Sequence, residues 1–494
     1  MFLSKNHQMS ATQMTLSHPI QLQDKHDIYF NSMTDFLKNI NTVRQRHSSF
    51  EQAEKTIQAL VLELEKSLIQ ETLAQYDIDT STIVMGSQTY YKALRKEKIY
   101  TCMSGLISVE RSLYRKTSND PCICPMELQA GIVEGFWTPS AARIGSYVTA
   151  QLSPYQGEKL FEEFGHLNPS KSSLGRLSTH LGETWDSAHE QLEPIFSQAI
   201  EIPEEAVTVS ASLDGIMIPL NKKIENGYQA PKLIDNPSDA EKKEHESKKD
   251  KAYYREASCA AINFYDIEGK RLKTIRFARM PEAGKGRLKG MIQQAMNTIV
   301  AQRPALNIIK IADGAKDNWR FLSDVLLPKQ GTEILDYFHA SEHLNEAFVA
   351  AFGGEKAKAS AHHKKYRSLL KHEIDGVEKV ISSLRYLLKK QPSNKKLKSE
   401  LAYFRNNRHR MKYARAVDAN YPIGSGVTEA ACKTRVTQRL KCAGMRWALN
   451  GGQGVLTVRS LIQSDLFDKG WTLLSSQYKQ EVALPKNVIE FRKK

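Results

Sequence analysis

The chain has 494 residues and a formal net charge of +15, with 41% hydrophobic and 25% charged residues. At about 150 residues per domain this length predicts two to four domains, and the composition excludes a wholly disordered chain. No apolar run reaches the roughly 18 residues that a membrane span needs, and residues 1–20 do not resemble a secretory signal. Six cysteines are too few for a disulfide scaffold, so we expect a reducing, cytoplasmic location.

The first 200 residues have mostly helical patterns, interrupted by one hairpin. Residues 28–76 place apolar side chains at three- and four-residue spacing, which predicts an amphipathic helix in a mainly α-helical N-terminal region, 1–95. After Ser104-Gly105, residues 106–114 partly alternate between apolar and polar, which predicts a short hairpin.

Two short helical patterns predict a helix-turn-helix within a DNA-binding region that covers 96–200. Ser153-Pro154 opens the first pattern, and Asn168-Pro169-Ser170 caps the second. Lys171 and Arg176 would lie near the start of the second helix, where phosphates or base edges are within reach. Plain packing of two helices explains the same pattern, so both interpretations stay open.

Strand and helix patterns alternate from residue 205 to 338, which predicts a mixed α/β domain. The predicted strands are residues 206–212, 257–265, 273–279, 306–312 and 333–338. Residues 221–252 are rich in Lys, Glu and Asp and nearly without apolar side chains, so we expect a solvated loop there.

Basic charge is concentrated in the helical patterns that follow. Residues 355–415 contain 18 Lys and Arg against 5 Asp and Glu, so this segment carries most of the net charge. A basic field confined to one part of a chain is expected for a protein that binds a polyanion, and interleaved tyrosines favour nucleic acid over a solvated helix face. The lysines that we expect to contact the nucleic acid are Lys364, Lys365, Lys389 and Lys390.

Three acidic residues stand at positions that suit a metal site. Asp214 ends the first predicted strand, Asp313 ends the fourth, and Glu429 lies early in a helix after Gly424-Ser425-Gly426. Each has a structural explanation by itself, because Asp-Gly is a common turn pair and Glu is favoured at a helix start. Together, three carboxylates beside a basic segment predict a site for two Mg²⁺ or Mn²⁺ ions, roughly 3.5–4 Å apart, acting on a phosphodiester.

The residues around these acids resemble a known family. Residues 421–433, Tyr-Pro-Ile-Gly-Ser-Gly-Val-Thr-Glu-Ala-Ala-Cys-Lys, and the stretch from 438 to 447 are similar to the C-terminal signature of ISKra-type DDE transposases. These transposases belong to bacterial insertion sequences and are similar to the Mutator-like group. Leu213-Asp214-Gly215 and Ala312-Asp313-Gly314-Ala315 match the two aspartate motifs of the family. Asp336-Tyr337-Phe338-His339 resembles its Asp/Cys-x-x-His element. The resemblance is specific over about 205–465 and looser over 95–195.

The resemblance implies a ribonuclease-H-like α/β catalytic core with a mixed sheet, built from 201–339 and 417–465. A basic helical insertion, 340–416, would interrupt this core, and 466–494 would form a C-terminal tail. The resemblance also implies that Asp214, Asp313 and Glu429 bind two Mg²⁺ or Mn²⁺ ions. Water would then cleave double-stranded DNA at the ends of the element, and the freed 3′-hydroxyl would attack target DNA. Such enzymes act in the nucleoid, usually as homo-oligomers.

Further residues in this region have more than one possible role. Asp336 and His339 are expected to position the DNA or the scissile phosphate, unless they form a surface pair or a helix start. Glu333, Glu342 and His343 lie close by in sequence and compete as possible ligands. The remaining candidates for DNA contact are Lys433, Arg439 and Arg446. Trp447 either stacks on a DNA strand or packs in the core.

Two other functions fit the same sequence. A transposase-derived protein that only binds DNA would keep the fold, and a related ribonuclease-H-like nuclease would cut strands without joining them. The presence of all three acids with their flanking motifs favours an enzyme, but the sequence does not separate cutting from joining.

Overall fold

A computed structural model of the chain describes residues 33–34, 36–39, 49–221, 253–426, 438–442 and 445–485. Glu429, Lys433 and nearly all of the predicted loop 221–252 lie outside these residues. The chain divides into two compact units. One comprises Met1–Thr138, Phe164–Asn168 and Gln480–Lys494, and the other comprises Pro139–Glu163 and Pro169–Lys479. Among the described helices, none is both long and apolar enough to cross a membrane.

The first unit is built on an antiparallel sheet of three strands. These are β1 (Thr82–Met85), β2 (Gln88–Cys102) and β3 (Gly105–Arg115), in the order β1-β2-β3. The predicted hairpin is therefore confirmed, and its strands are longer than predicted. Helix α1 (Phe50–Ala74) begins after Ser49, whose side chain caps it by accepting from the backbone of Gln52, and α2 (Pro125–Ala130) follows the sheet.

The second unit contains a mixed sheet of five strands. They are β4 (Thr208–Leu220), β5 (Tyr253–Tyr265), β6 (Arg271–Arg279), β7 (Asn307–Ala312) and β8 (Thr332–Leu335). The order across the sheet is β6-β5-β4-β7-β8, in which β4, β5 and β6 are antiparallel neighbours while β7 runs parallel to β4 and β8. This confirms the predicted mixed sheet with helices, because each predicted strand has an observed counterpart.

Helices surround this sheet in the second unit. Before it come α3 (Pro139–Gln151), α4 (Pro154–Phe164, whose last residue belongs to the first unit), α5 (Lys171–Ser187) and α6 (His189–Gln198). Within it and after it come α7 (Gly286–Gln302), α8 (Lys316–Asp324), α9 (Tyr337–Phe352), α10 (Lys356–His372), α11 (Gly376–Lys390), α12 (Lys395–Asn407), α13 (Tyr413–Asp418), α14 (Leu449–Gln463) and α15 (Phe467–Ser476). Short turns of 3₁₀ helix lie at Ala283–Lys285 and Arg408–Arg410, and a single helical turn lies at Gln438–Leu440.

Close helix packing buries one face of α5, the second helix of the predicted helix-turn-helix. A methyl group on Gly182 would lie only 2.5 Å from the Cα of Gly454 in α14, so the crossing requires glycine at this point. Leu174, Leu177 and Leu181 are buried on the same face. Lys171 is exposed and Arg176 is not fully buried, so the packing occupies one side of α5 and the predicted DNA contact stays a prediction.

Helices α9 to α12 form the helical segment that the basic charge predicted. Their apolar faces are buried, with Phe348, Leu370, Leu384 and Phe404 in the core. The lysines lie on the outer faces because burying an unpaired ammonium group costs hydration free energy that the protein interior does not return.

The end of the first predicted strand differs from expectation. Residues 206–212 were predicted, yet β4 continues to Leu220 because its antiparallel pairing with β5 runs on through Asp214 to the end of the strand. Only the parallel pairing with β7 stops, at Ser212. Asp214 therefore lies where β4 and β7 separate and not at the end of β4.

Candidate active site

Asp214 and Asp313 come to matching positions on neighbouring parallel strands. Ser212 on β4 pairs with Ile311 on β7, and each aspartate lies two residues further along the chain. Because parallel strands keep their register and lie about 4.8 Å apart, this pairing places the two aspartates at corresponding positions just beyond the last paired residues. The sequence motifs predicted both residues, and the strand register explains why they align.

The carboxylate of Asp313 is held in one orientation by the start of α8. Its Oδ1 accepts hydrogen bonds from the backbone N–H of Ala315 and from Nδ2 of Asn318, both at 3.1 Å. The indole N–H of Trp319 donates to the Asp313 carbonyl oxygen at 2.5 Å. Among the described residues, none donates to Oδ2, so a fixed carboxylate keeps one oxygen for a ligand such as a metal ion.

An acid and a lysine that the sequence did not indicate lie at this edge of the sheet. The carboxylate of Glu256 lies so close to Gly215 that any side chain at Gly215 would collide with it. Lys285 contacts a neighbour of each aspartate. Its Nζ lies 2.8 Å from Oε1 of Glu256, which packs against the residue after Asp214, and 3.5 Å from Oδ1 of Asn318, which donates to Asp313. The sequence pattern that could have indicated Lys285 is the glycine on either side of it, Gly284 and Gly286.

The backbone of Lys285 has a left-handed conformation, with φ of 55°. This conformation is unfavourable for residues other than glycine and occurs more often where a side chain must be aimed at a functional site. Here it follows Gly284, which is also left-handed, and it directly precedes α7.

Asp336 shares the edge but differs in its surroundings. Ala312 pairs with Leu335, so Asp336 aligns with Asp313 on the next strand. Its side chain is 0% exposed, and Oδ1 accepts from the backbone N–H groups of Phe338 and His339 as the N-cap of α9. Oδ2 accepts from both the backbone N–H and the hydroxyl of Ser425. Asp336 therefore starts α9, as the helix-start alternative predicts, and its role in positioning the DNA or the scissile phosphate stays a prediction.

These contacts fix the segment that leads to Glu429. Besides the bonds from Ser425 to Asp336, the backbone N–H of Tyr337 donates to the carbonyl of Ile423 at 2.9 Å. A methyl group on Gly424 would lie 2.7 Å from the ring of Phe338, so glycine permits this close approach. Ser425, four residues before Glu429, is therefore fixed at the end of the strand next to that of Asp313.

Tyr403 of α12 covers Gly314, the residue after Asp313. A methyl group on Gly314 would lie 2.5 Å from Cε2 of Tyr403. Burial and then the nearby carboxylates of Asp313 and Asp336 raise the pKa of Tyr403 well above its usual value, so the phenol stays protonated. The ring also stacks on His343, with centroids 3.8 Å apart.

The competing acidic residues have other partners. Glu333 accepts from Nε of Arg410 at 2.7 Å, and although burial would raise the pKa of Glu333, the hydrogen bonds from Arg410 and Ser323 lower it below its usual value. Glu342 lies 3.4 Å from Nδ1 of His339 on the exposed side of α9. These contacts favour Asp214 and Asp313 over their neighbours as ligands.

A second group of possible metal ligands lies between α9 and α12. His343, Glu346 and Glu400 bring ligand atoms within 4.8 Å of one another. However, Nζ of Lys396 lies 2.8 Å from Oε1 of Glu400 and also pairs with Glu346. The ammonium group of Lys396 already neutralises these carboxylates, so this group is a weaker candidate for a metal site.

Most of the lysines and arginines predicted to bind DNA have access to solvent. Those on α10 and α11 are Lys364, Lys365, Lys389 and Lys390, those on α5 are Lys171 and Arg176, and Arg446 lies next to Trp447. Access to solvent is a condition for phosphate contact, and the contacts themselves stay predictions.

Arg439 is different, because it is only 2% exposed. Its Nε donates to the carbonyl of Thr149 in α3 at 3.0 Å, and its guanidinium lies 4.9 Å from the centre of the Trp447 ring. Burial lowers the pKa of Arg439 to about 10. Arg439 therefore connects core elements and is not placed to bind DNA, while Trp447 is partly buried and packs against a core cluster that includes Leu440.

No protein-family model and no curated protein matches the chain. Among solved structures, the chain is similar to the Drosophila P element transposase strand transfer complex, with 8% sequence identity and a TM-score of 0.25. The matched region covers 69% of this chain and 84% of that chain. This likeness is distant, falls short of establishing a shared fold, and does not single out the ISKra type.

Proposed function

We propose that the chain is a DDE transposase, which cleaves DNA at the ends of a bacterial insertion sequence and joins those ends to target DNA. The observation that carries the proposal is the register that aligns Asp214 with Asp313 where β4 and β7 separate. The anchored Ser425 segment, which leads into the Glu429 signature, supports it further.

The sheet supports a ribonuclease-H-like core. Its order, with three antiparallel strands followed by two parallel ones, fits the mixed sheet that the resemblance implies. The helical segment between β8 and Tyr421 fits the expected insertion before the glutamate.

The residues present suit a hard divalent cation. Asp214 and Asp313 offer carboxylate oxygens, the ligands that Mg²⁺ and Mn²⁺ prefer, and Asn318 orients Asp313 as an outer partner of a metal ligand does. With Glu429 they would hold two ions. When bound, such ions neutralise negative charge at a phosphoryl group and favour ionisation of water.

The other residues of the edge would assist by position and charge. Lys285, which contacts a neighbour of each aspartate, would offset the repulsion between the carboxylates and DNA and bind a non-bridging oxygen of the scissile phosphate. Tyr403 covers the backbone beside Asp313. The exposed lysines of α10 and α11 would hold the DNA backbone, and we propose that the protein acts in the nucleoid as a homo-oligomer.

A strand-transfer assay tests the proposal. Labelled DNA carrying the regions that flank the gene on each side is incubated with target DNA and protein, in Mg²⁺, in Mn²⁺ or with EDTA. Asp214→Asn and Asp313→Asn should reduce cleavage by at least roughly 10³-fold, because each removes charge at the transition state. Asp418→Asn, an exposed aspartate on α13, serves as the matched control and should keep full activity.

The products separate the three candidate functions. Joined products that require metal and both aspartates support a transposase. Cleaved but unjoined products support the nuclease alternative, and binding without cleavage in either metal supports a DNA-binding protein and rejects the enzyme.

A further inference from the structure

We propose that a cavity beside Asp313 binds a backbone phosphate of the DNA strand, next to the phosphate that is cut. This inference rests on the proposed function, because it assigns a binding site to the same DNA. The cavity has a volume of about 220 Å³, and Gly314, Lys316, Arg320 and Arg410 are among its lining residues. Since Gly314 directly follows Asp313, the cavity starts one residue away from a proposed metal ligand.

The cavity has a net positive charge. Lys316 and Arg320 lie one helical turn apart on α8, and both are exposed. Within the described part of the chain, neither has an acidic partner at ion-pair distance. Asp324, one turn further along α8, is the opposing charge in the lining. The hydrogen bond from Lys289 lowers the pKa of Asp317, and Arg320 lies close enough to that carboxyl to contribute. Two cations that form no ion pair still exceed the one acid in the lining, and they favour an anionic ligand.

Arg410 forms a rigid wall of the same cavity. Its guanidinium lies 4.0 Å from the centre of the Trp319 ring. Nε donates to Glu333 at 2.7 Å and Nη2 donates to Ser323 at 3.1 Å. Trp319 is itself held by the Asp313 carbonyl. A wall with these contacts is already ordered before DNA binds, so the entropic cost of ordering it on binding is small.

The chemistry favours a phosphate over a nucleotide base. A base would need an open aromatic face to stack on, but Trp319 is only 4% exposed and Arg410 lies over its ring. The volume is also below the roughly 300–1,000 Å³ of pockets for drug-sized ligands. A small anion that several N–H donors can surround fits both observations.

Neutral phosphate substitution tests the assignment. In a series of element-end duplexes, a single linkage near the cut site is replaced by an uncharged methylphosphonate, at a different position in each duplex. Binding is measured in EDTA so that no cleavage occurs. The wild-type protein should bind about tenfold more weakly when one or two linkages beside the cut site are neutral. The slope of log affinity against log salt should also decrease by roughly 0.9 for each phosphate that is neutralised in the cavity.

The variant Lys316→Ala/Arg320→Ala should bind unmodified DNA about tenfold more weakly and be insensitive to substitution at those linkages alone. Lys316→Arg/Arg320→Lys should restore the wild-type pattern. The matched control is Lys270→Ala/Arg271→Ala, at the end of the sheet opposite the aspartates. This variant should lose affinity at the same linkages as the wild-type protein. Unchanged thermal unfolding of each variant shows that folding is intact.

A double variant that keeps the wild-type pattern of sensitive linkages overturns the cavity assignment and leaves the proposed function untouched. Failure of the wild-type protein to bind any of the unmodified duplexes overturns both proposals. Because binding is measured in EDTA, the result for the cavity does not depend on whether the protein cleaves DNA.

Discussion

The carboxyl ends of β7 and β8 lie side by side in one register, yet their aspartates have opposite surroundings. At the end of β7, Asp313 is only partly buried, and two donors reach a single oxygen of its carboxylate. At the end of β8, Asp336 is buried and receives four hydrogen bonds, two of them from Ser425. The strand register aligns both acids, but the hydrogen-bond donors around each carboxylate differ, and we expect that difference to decide whether the carboxylate is available to a ligand.

Removing each aspartate should give the largest contrast. Asp336→Ala leaves four donors without an acceptor, and we expect it to lower the free energy of unfolding by about 3 kcal/mol. Asp313→Ala should change stability by less than about 1 kcal/mol, because its carboxylate is partly solvated. Urea unfolding of the two variants measures this. Equal decreases would mean that both acids are structural.

Filling the space beside Asp313 should have a smaller effect. Gly314→Ala brings its methyl group against the ring of Tyr403, so we expect the free energy of unfolding to fall by about 1–3 kcal/mol from overpacking. In the Tyr403→Leu background the same Gly314→Ala change should be less destabilising. Thermal unfolding of all four proteins gives the coupling energy, and a value near zero would contradict the close approach.

The smallest effect should come from the residues that support each acid. Asn318→Ala removes the side-chain donor to Asp313, and we expect the Mg²⁺ concentration for half-maximal cleavage to rise by about tenfold or more. Ser425→Ala removes one donor to Asp336 and should instead lower stability by about 1 kcal/mol. Mg²⁺ titration and urea unfolding of both variants test this, and a shift in Mg²⁺ requirement for Ser425→Ala alone would reverse the assignment.

The sequence was sufficient for the strands and for the two Asp-Gly motifs. Short runs that are mostly apolar, such as Ile308–Ala312 with its single Lys310, are typical of buried strands, so the end of β7 just before Asp313 was predictable. The extension of β4 was not, because Gly215 and Pro219 are residues that usually interrupt strands. Antiparallel pairing with β5 outweighs that preference, and only tertiary structure supplies it.

The role of charged residues was harder to predict. Arg439 lies in a basic segment, where an exposed arginine is the usual expectation, but the Thr149 carbonyl and the Trp447 ring stabilise it in the core. Glu256 and Lys285 lie far in sequence from the residues beside the aspartates that they contact, Gly215 and Asn318. Local patterns contain no information about such long-range partners.

One set of contacts joins the two ends of the helical insertion, and it lies among Asp336, Tyr337, Ile423 and Ser425. The entropy of closing so long a loop grows only slowly with its length. Helices between Tyr337 and Ile423 can therefore be lengthened, shortened or exchanged during evolution while the ends of β7 and β8 stay in place. These contacts make the insertion a replaceable unit attached to a constant sheet.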